Sequence, residues 1–253
     1  MNDELKFTVI SDTHYYSKKN FVDGFDKNKK PKPGQLFFSR SEEIVEHTFD
    51  CLCKNDTPDI VLISGDLTYN GERTSHDEMK AALKKLQQKG KRVYVITATH
   101  DYTTPRMPTY GIDKNDKYIE VESVNRTQLL KYYGDFGYNN AIAKHKSTMS
   151  YVAQLADGYR LFALNDDYGD PDCGFSDELM NWVKTEANNA KRDGQYIIAM
   201  THHPLVPPSP IYAAVAKGDM LNEYELRRNQ LSDLGFDFVL TGHTHMHNIS
   251  YCK

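Results

Sequence analysis

Five short apolar runs in this chain each end on Asp or His, and that recurrence constrains the fold more than any other feature. Phe7–Ser11 runs into Asp12 and His14, and Ile60–Ser64 runs into Gly65 and Asp66. Arg92–Thr97 leads to Thr99, His100 and Asp101, Tyr196–Thr201 to His202 and His203, and Phe238–Thr241 to Gly242, His243, Thr244 and His245. Runs of this length, rich in β-branched and aromatic residues, read as buried strands. Longer amphipathic stretches separate them, which is the alternation of an α/β fold. Ligands of open α/β sheets bind beyond the carboxyl ends of the strands. Five strands delivering such side chains to one edge therefore outline a binding site.

The intervening pattern places helices from about Arg40 to Lys54 and from about His76 to Lys89. Ser39 with Glu42, and Ser75 with Glu78, have capping-box spacing, and Gly90 is a natural stop. A third helix spans Asp177–Arg192 behind the N-cap Ser176, and a fourth lies near Glu223–Leu234. Met149–Ala153 and Tyr159–Leu164 flank Asp157-Gly158, a hairpin signal. Lys18–Gln35 is a polar loop and Pro204–Pro210 a proline-rich one. The stretch Tyr102–Ser147 is too long for a simple connection and carries six tyrosines, so a partly helical insertion overhanging the site is expected. No repeat or linker interrupts the chain, which predicts a single domain over 1–253.

Composition narrows the function. At 253 residues, 39% hydrophobic and 26% charged, the chain can bury a sizeable core. A net charge of −4 offers no basic surplus for a polyanion, so no nucleic-acid partner is expected. No run of about 18 apolar residues predicts a membrane span. Met1–Lys6 is polar and reads as no signal peptide. The default expectation is a cytoplasmic location, an exported mature domain being the other reading. Cys51, Cys53, Cys173 and Cys252 are too few for a disulfide framework and read as free or buried thiols. The sequence carries no signature of an oligomeric state.

Imidazole and carboxylate together suit Zn, Mn, Fe, Co or Ni. No cysteine stands at the strand ends, against a structural zinc site. The ligands outnumber what one tetrahedral ion takes. Two ions about 3.5–4 Å apart would use them, and such pairs clamp the attacking and leaving oxygens of a phosphoryl displacement.

The series Asp12-x-His14, Gly65-Asp66, His100-Asp101, His202 and Gly242-His243-x-His245 resembles the calcineurin-like metallophosphoesterases, in the family's order and across nearly the whole chain. The resemblance implies a two-sheet sandwich flanked by helices, four layers in α/β/β/α order, and a metal-dependent hydrolase of phosphate esters. It implies two divalent transition-metal ions, Mn, Fe or Zn, and a small-molecule phosphate ester as substrate. Asp12, His14 and His245 would hold the first ion, Asp66 would bridge, and His202 and His243 would hold the second. His100 would contact the phosphate and help the leaving oxygen, oriented by Asp101, while a bridging hydroxide attacks phosphorus. A phosphodiester is the expected substrate type, because one such nucleophile and one imidazole suffice for it.

The family usually has Gly-Asn-His at the third strand, where this chain has Ala98-Thr99-His100. Thr99 offers a hydroxyl on a short β-branched side chain in place of a carbonyl ligand, so the second site is expected to be weaker. That departure keeps two other readings open: a one-metal phosphoesterase, and a phosphate-ligand binding module that has lost hydrolysis. Tyr69 matches the Gly-Asp-x-x-Tyr pattern of purple acid phosphatases, but those lack a histidine at the place of His14, which argues against tyrosinate ligation. Eight residues follow His245, whereas the family usually continues with more strands, so a domain truncated at its carboxyl end is expected.

Neighbouring residues have plainer readings. Successive strand side chains point to opposite faces, so His202 is taken as the ligand and His203 as a supporting or core residue. His247 reads as solvent-facing or as a cleft wall, His76 as a surface residue at a helix start, and His47 and His145 as unassigned. Asn165-Asp166-Asp167 reads as a turn after a strand, reach into the cleft being the other reading. Most tyrosines read as packing, and the Lys27–Lys32 run as a solvated loop.

Overall fold

A computed structural model describes residues 4–24, 38–54, 56–167, 172–236 and 238–251. The greater part of the predicted loop Lys18–Gln35, the Lys27–Lys32 run and Cys252 lie outside the described residues. The chain divides into two compact units, one comprising Lys6–Tyr94 and Ala98–Gly134, the other Met1–Leu5, Val95–Thr97 and Asp135–Lys253.

The first unit is built from β1 (Phe7–Ile10), α1 (Ser41–Leu52), β2 (Ile60–Ser64), α2 (Arg73–Gln88), the start of β3 (Arg92–Ile96), the short pair β4 (Gly111–Ile112) and β5 (Tyr118–Ile119), and α3 (Leu129–Tyr133). Its sheet has the order β1-β2-β3. β1 and β2 run parallel, Phe7 opposite Ile60 through Ile10 opposite Ile63. Every residue of β2 is buried, as its unbroken Ile-Val-Leu-Ile run requires of a strand covered on both faces. α1 buries Val45, Phe49 and Leu52, and α2 buries His76, Met79, Leu83 and Leu86, both at helical spacing.

Both helices start differently from their capping-box patterns. α1 has Arg40 as N-cap with no side-chain cap hydrogen bond. α2 begins three residues before the expected His76, behind Glu72 in extended conformation. Ser75 is thereby drawn into the first turn, where its buried hydroxyl accepts hydrogen bonds from the Ser17 N–H (3.1 Å) and Asn20 Nδ2 (3.1 Å). The demand of a neighbouring loop outweighs the local cap.

The second unit contains the end of β3, β6 (Ala143–His145), β7 (Ser150–Ala156), β8 (Tyr159–Ala163), α4 (Asp177–Arg192), β9 (Tyr196–Met200), α5 (Pro210–Val215), α6 (Tyr224–Asp233) and β10 (Val239–Leu240). Its sheet has the order β10-β9-β8-β7-β6. The expected hairpin joins β7 and β8, with Gly158 in the left-handed region that the turn requires (φ 81°). β8, β9 and β10 run parallel, so the segments after β9 and β10 leave at the same edge. α4 covers this sheet through Leu179, Val183 and Ala187, which join Phe162, Ala199 and Phe236 in one core. Ser176 caps α4 as predicted, accepting from Leu179 N–H at 3.2 Å. Among the described residues Cys51, Cys53 and Cys173 form no disulfide. Among the described residues no helix is long and apolar enough to cross a membrane.

These contacts set two stability outcomes, both read by urea unfolding. Ser176→Ala is expected to cost about 1 kcal/mol, whereas Ser39→Ala changes stability by less than about 0.5 kcal/mol. Phe162, fully buried with its ring 4.9 Å from that of Phe236, is expected to cost about 3–5 kcal/mol on truncation to Ala.

Candidate metal centre

The parallel pairing of β1 and β2 carries on beyond both strands and fixes the first set of candidate ligands. Asp12 N–H donates to Gly65 O at 3.1 Å, His14 N–H to Asp66 O at 3.0 Å, and Tyr15 N–H to Leu67 O at 2.9 Å. Two loops are thereby stitched side by side with Asp12, His14 and Asp66 on adjoining rungs. His14 Nε2 stands 3.7 Å from Asp66 Oδ2 and 4.0 Å from Asp12 Oδ1. Those separations are too long for hydrogen bonds. They match donors sharing one ion, since two ligand atoms each about 2.1 Å from a metal lie at most about 4.2 Å apart. His100 joins the group: ligand atoms of His14, Asp66 and His100 all lie within 4.8 Å of one another.

The backbone is strained where these ligands sit. Asp12, His14 and Asp66 have φ of 53°, 39° and 53°, and in the second unit His243 and His245 have 71° and 51°. Left-handed conformation costs a non-glycine residue about 1–2 kcal/mol, and it persists only where the surroundings enforce it.

His100 is held from two directions. Its backbone N–H donates to Asp66 Oδ1 at 2.9 Å. Its Nδ1 faces two acceptors, Tyr69 O (2.6 Å) and Asn70 Oδ1 (2.8 Å), so Nδ1 carries the proton and Nε2 is left for a ligand. Asn70 N–H is anchored by the buried Glu72 carboxylate (3.1 Å). The expectation that Asp101 orients this ring is thus corrected. Asp101, fully buried, turns Oδ1 to Thr68 N–H and Oδ2 to Ala98 N–H, both 2.9 Å, and so shapes the turn Thr99–Asp101 rather than the imidazole. Thr99 opens that turn, half-buried. The Tyr69 hydroxyl accepts from Tyr110 O–H at 2.9 Å, and burial pushes the Tyr69 phenol up.

In the second unit the loops after β9 and β10 are joined by Gly242 N–H donating to His202 O at 2.9 Å. Ligand nitrogens of His202 and His243 lie within 4.8 Å of each other. His202 is fully buried, and His245 and His247 are exposed. Asn165-Asp166-Asp167, read as a turn, does more than turn the chain. Asp166, fully buried, accepts from Thr201 Oγ1 (2.7 Å), His202 N–H (3.1 Å) and His203 N–H (2.7 Å). Its Oδ1 lies 3.3 Å from His203 Nδ1. Burial alone would push the Asp166 carboxyl up, but His203, His202 and the backbone donors hold it below the usual carboxylate range. His203 thus lies against the Asp166 carboxyl group through both its backbone N–H and its ring.

The sequence matches the model of the calcineurin-like phosphoesterase family over residues 5–247. The chain belongs to that family. No curated protein sequence matches it. Among solved structures, it is similar to the crystal structure of a dimetal phosphatase from Danio rerio, with TM-score 0.61 and 12% identity over 94% of this chain and 81% of that one. At that identity the likeness establishes a shared fold, the α/β architecture of metallophosphoesterases. Membership makes the chain a phosphoric ester hydrolase that depends on divalent metal. The donor set suits that requirement: hard carboxylates and imidazoles, with no thiolate.

His76 departs most from its sequence reading. It is fully buried rather than at the surface. Its Nε2 faces Asp101 O at 3.0 Å and its Nδ1 faces Tyr133 Oη at 2.6 Å. Burial lowers its pKa to about 3, while burial raises that of Glu72 to about 7.

The signs of these two shifts oppose. Below the ordinary value of 6.5 the unfolded chain protonates at His76 and the folded one does not, so stability falls as pH drops toward about 3. Between 4.5 and about 7 the folded chain keeps the Glu72 proton that the unfolded one loses, so stability falls as pH rises. His76→Gln removes the first contribution alone. From pH 5 to 6 its unfolding free energy is expected to fall relative to wild type by up to about 1.4 kcal/mol, measured by urea titration at each pH.

Proposed function

We propose that this phosphoesterase hydrolyses phosphodiesters in preference to monoesters at a dinuclear centre. Asp12, His14 and His245 would hold one ion, Asp66 would be shared, and His202 and His243, with Thr99 as a weak neutral ligand, would hold the other. Two observations support the reading: each unit gathers its own share of the donors, and five of these residues sit in left-handed conformation. The single observation that carries it is the approach of His14 to both Asp12 and Asp66 at distances suited to a shared ion. When bound, such ions supply Lewis acidity, a water acidified toward neutral pH, and compensation of phosphate charge.

The chain's own residues supply the rest. Asn70 and Tyr69 keep the His100 proton on Nδ1, so Nε2 is the nitrogen that meets a phosphate oxygen. In its imidazolium form, Nε2–H donates to that oxygen or to the departing alkoxide. Residues 11–15, 65–70, 98–102, 201–206 and 242–247 contain no Lys or Arg. A diester carries one negative charge, and these loops add no Lys or Arg for the second charge of a monoester dianion.

The test is turnover of bis(p-nitrophenyl) phosphate against p-nitrophenyl phosphate with Mn²⁺, with metal content measured in parallel. The diester is expected to give the higher kcat/KM. Asp66→Ala is expected to lower turnover by more than about 100-fold. Faster monoester turnover refutes the diester preference. Tight phosphate binding without turnover supports the binding module that Thr99 keeps open.

Thr99→Asn supplies an amide carbonyl, so it is expected to tighten the weaker ion by about tenfold or more in a Mn²⁺ titration. Equal affinities at the two sites in the wild type overturn the weak-site reading.

A further inference from the structure

His76 lies on α2, outside every ligand loop, yet it grips the turn that carries His100. The Asp101 carbonyl can only accept, so His76 Nε2 carries the proton and donates to it at 3.0 Å. Nδ1 must then accept, and Tyr133 O–H, fully committed to the interior, donates at 2.6 Å. Both ring nitrogens are satisfied, and the tautomer is fixed by a tyrosine from α3. The turn Thr99–Asp101 is a single 3-10 turn, a short element with poor intrinsic hydrogen-bond geometry. Further restraints come from loop residues: Thr68 Oγ1 donates to His100 O at 3.1 Å, and Thr68 and Ala98 N–H groups to Asp101. His76 adds a restraint from a helix of 16 residues.

We propose that His76 is a positioning residue for His100, clamping the Asp101 carbonyl with Nε2–H while Tyr133 sets the tautomer that makes the clamp available. This rests on the phosphoesterase reading above. The clamp touches no ligand and acts through the backbone, where a displacement of about 1 Å is enough to cost catalysis about 100-fold. A satisfied core histidine with no bearing on the site would give a different set of outcomes.

The experiment measures kcat and KM for bis(p-nitrophenyl) phosphate with Mn²⁺ in His76→Leu, His76→Gln and Tyr133→Phe, each with His100 and with His100→Ala. His76→Leu is expected to lower kcat about tenfold or more, with KM within about twofold. His76→Gln restores most of the loss, because its amide donates to Asp101 O and its carbonyl accepts from Tyr133. In the His100→Ala background the effect of His76→Leu vanishes. Equal losses in both backgrounds, no rescue by Gln, or an unchanged kcat overturns the proposal. Should His76→Leu not fold, Tyr133→Phe carries the test, with an expected loss of about twofold to fivefold confined to the His100 background. Amide exchange at His100 and Asp101, faster in Tyr133→Phe than in the wild type, reads the clamp without turnover. An inactive wild type refutes the phosphoesterase reading, whereas unchanged exchange in Tyr133→Phe refutes the clamp.

Discussion

The continuation of the β1–β2 ladder into the loops beyond it is the interaction on which the rest depends. Hydrogen bonds from Asp12 to Gly65, His14 to Asp66 and Tyr15 to Leu67 keep two loops in parallel register where the strands have ended. Without them Asp12, His14 and Asp66 would ride on independent loops. Their left-handed backbones, unfavourable in isolation, are tolerated because this register forces the chain to bend back at each rung. The energy stored there is offset by the burial of β2, whose five residues pack on both faces.

Buried carboxylates do the equivalent work farther out. Asp101 gathers the N–H groups of Thr68 and Ala98 in one unit. Asp166 gathers those of His202 and His203 in the other. A buried carboxyl group is costly, and backbone donors converging on it offset that cost. The loops after β3 and β9 are thus each folded around a buried Asp side chain. The hydrogen bonds that make its burial tolerable also make the loop rigid.

How much of this was legible in the sequence follows from the range of the forces involved. The strands were legible because an apolar run such as Ile60–Ser64 needs no partner to declare itself. The candidate ligands could be picked out because their chemistry is in the residue type and their position at strand ends is local. The hairpin at Asp157-Gly158 and the cap at Ser176 likewise depend on neighbours within a few residues. The start of α2 was missed because Ser75 satisfies the N–H of Ser17, 58 residues away. His76 was read as surface because its partner Tyr133 stands 57 residues on. Asp166 was read as a turn because the amides it holds lie 36 and 37 residues downstream.

Those misses share a cause. Each is a polar residue whose role is set by where another segment brings an unsatisfied donor or acceptor, and no periodicity records that. Ligand identity and ligand placement are therefore encoded differently. Replacing Asp12 or His14 would change the proposed ligand set directly, and its effect can be anticipated from the residue alone. Replacing Asn70, Asp101 or Asp166 leaves every proposed ligand in place and alters only the backbone or tautomer that aims it. Such residues carry none of the reaction's charge. Even so, candidate ligands strained at φ values of 39–71° relax toward ordinary backbone once their supports go, and so away from the proposed shared ion.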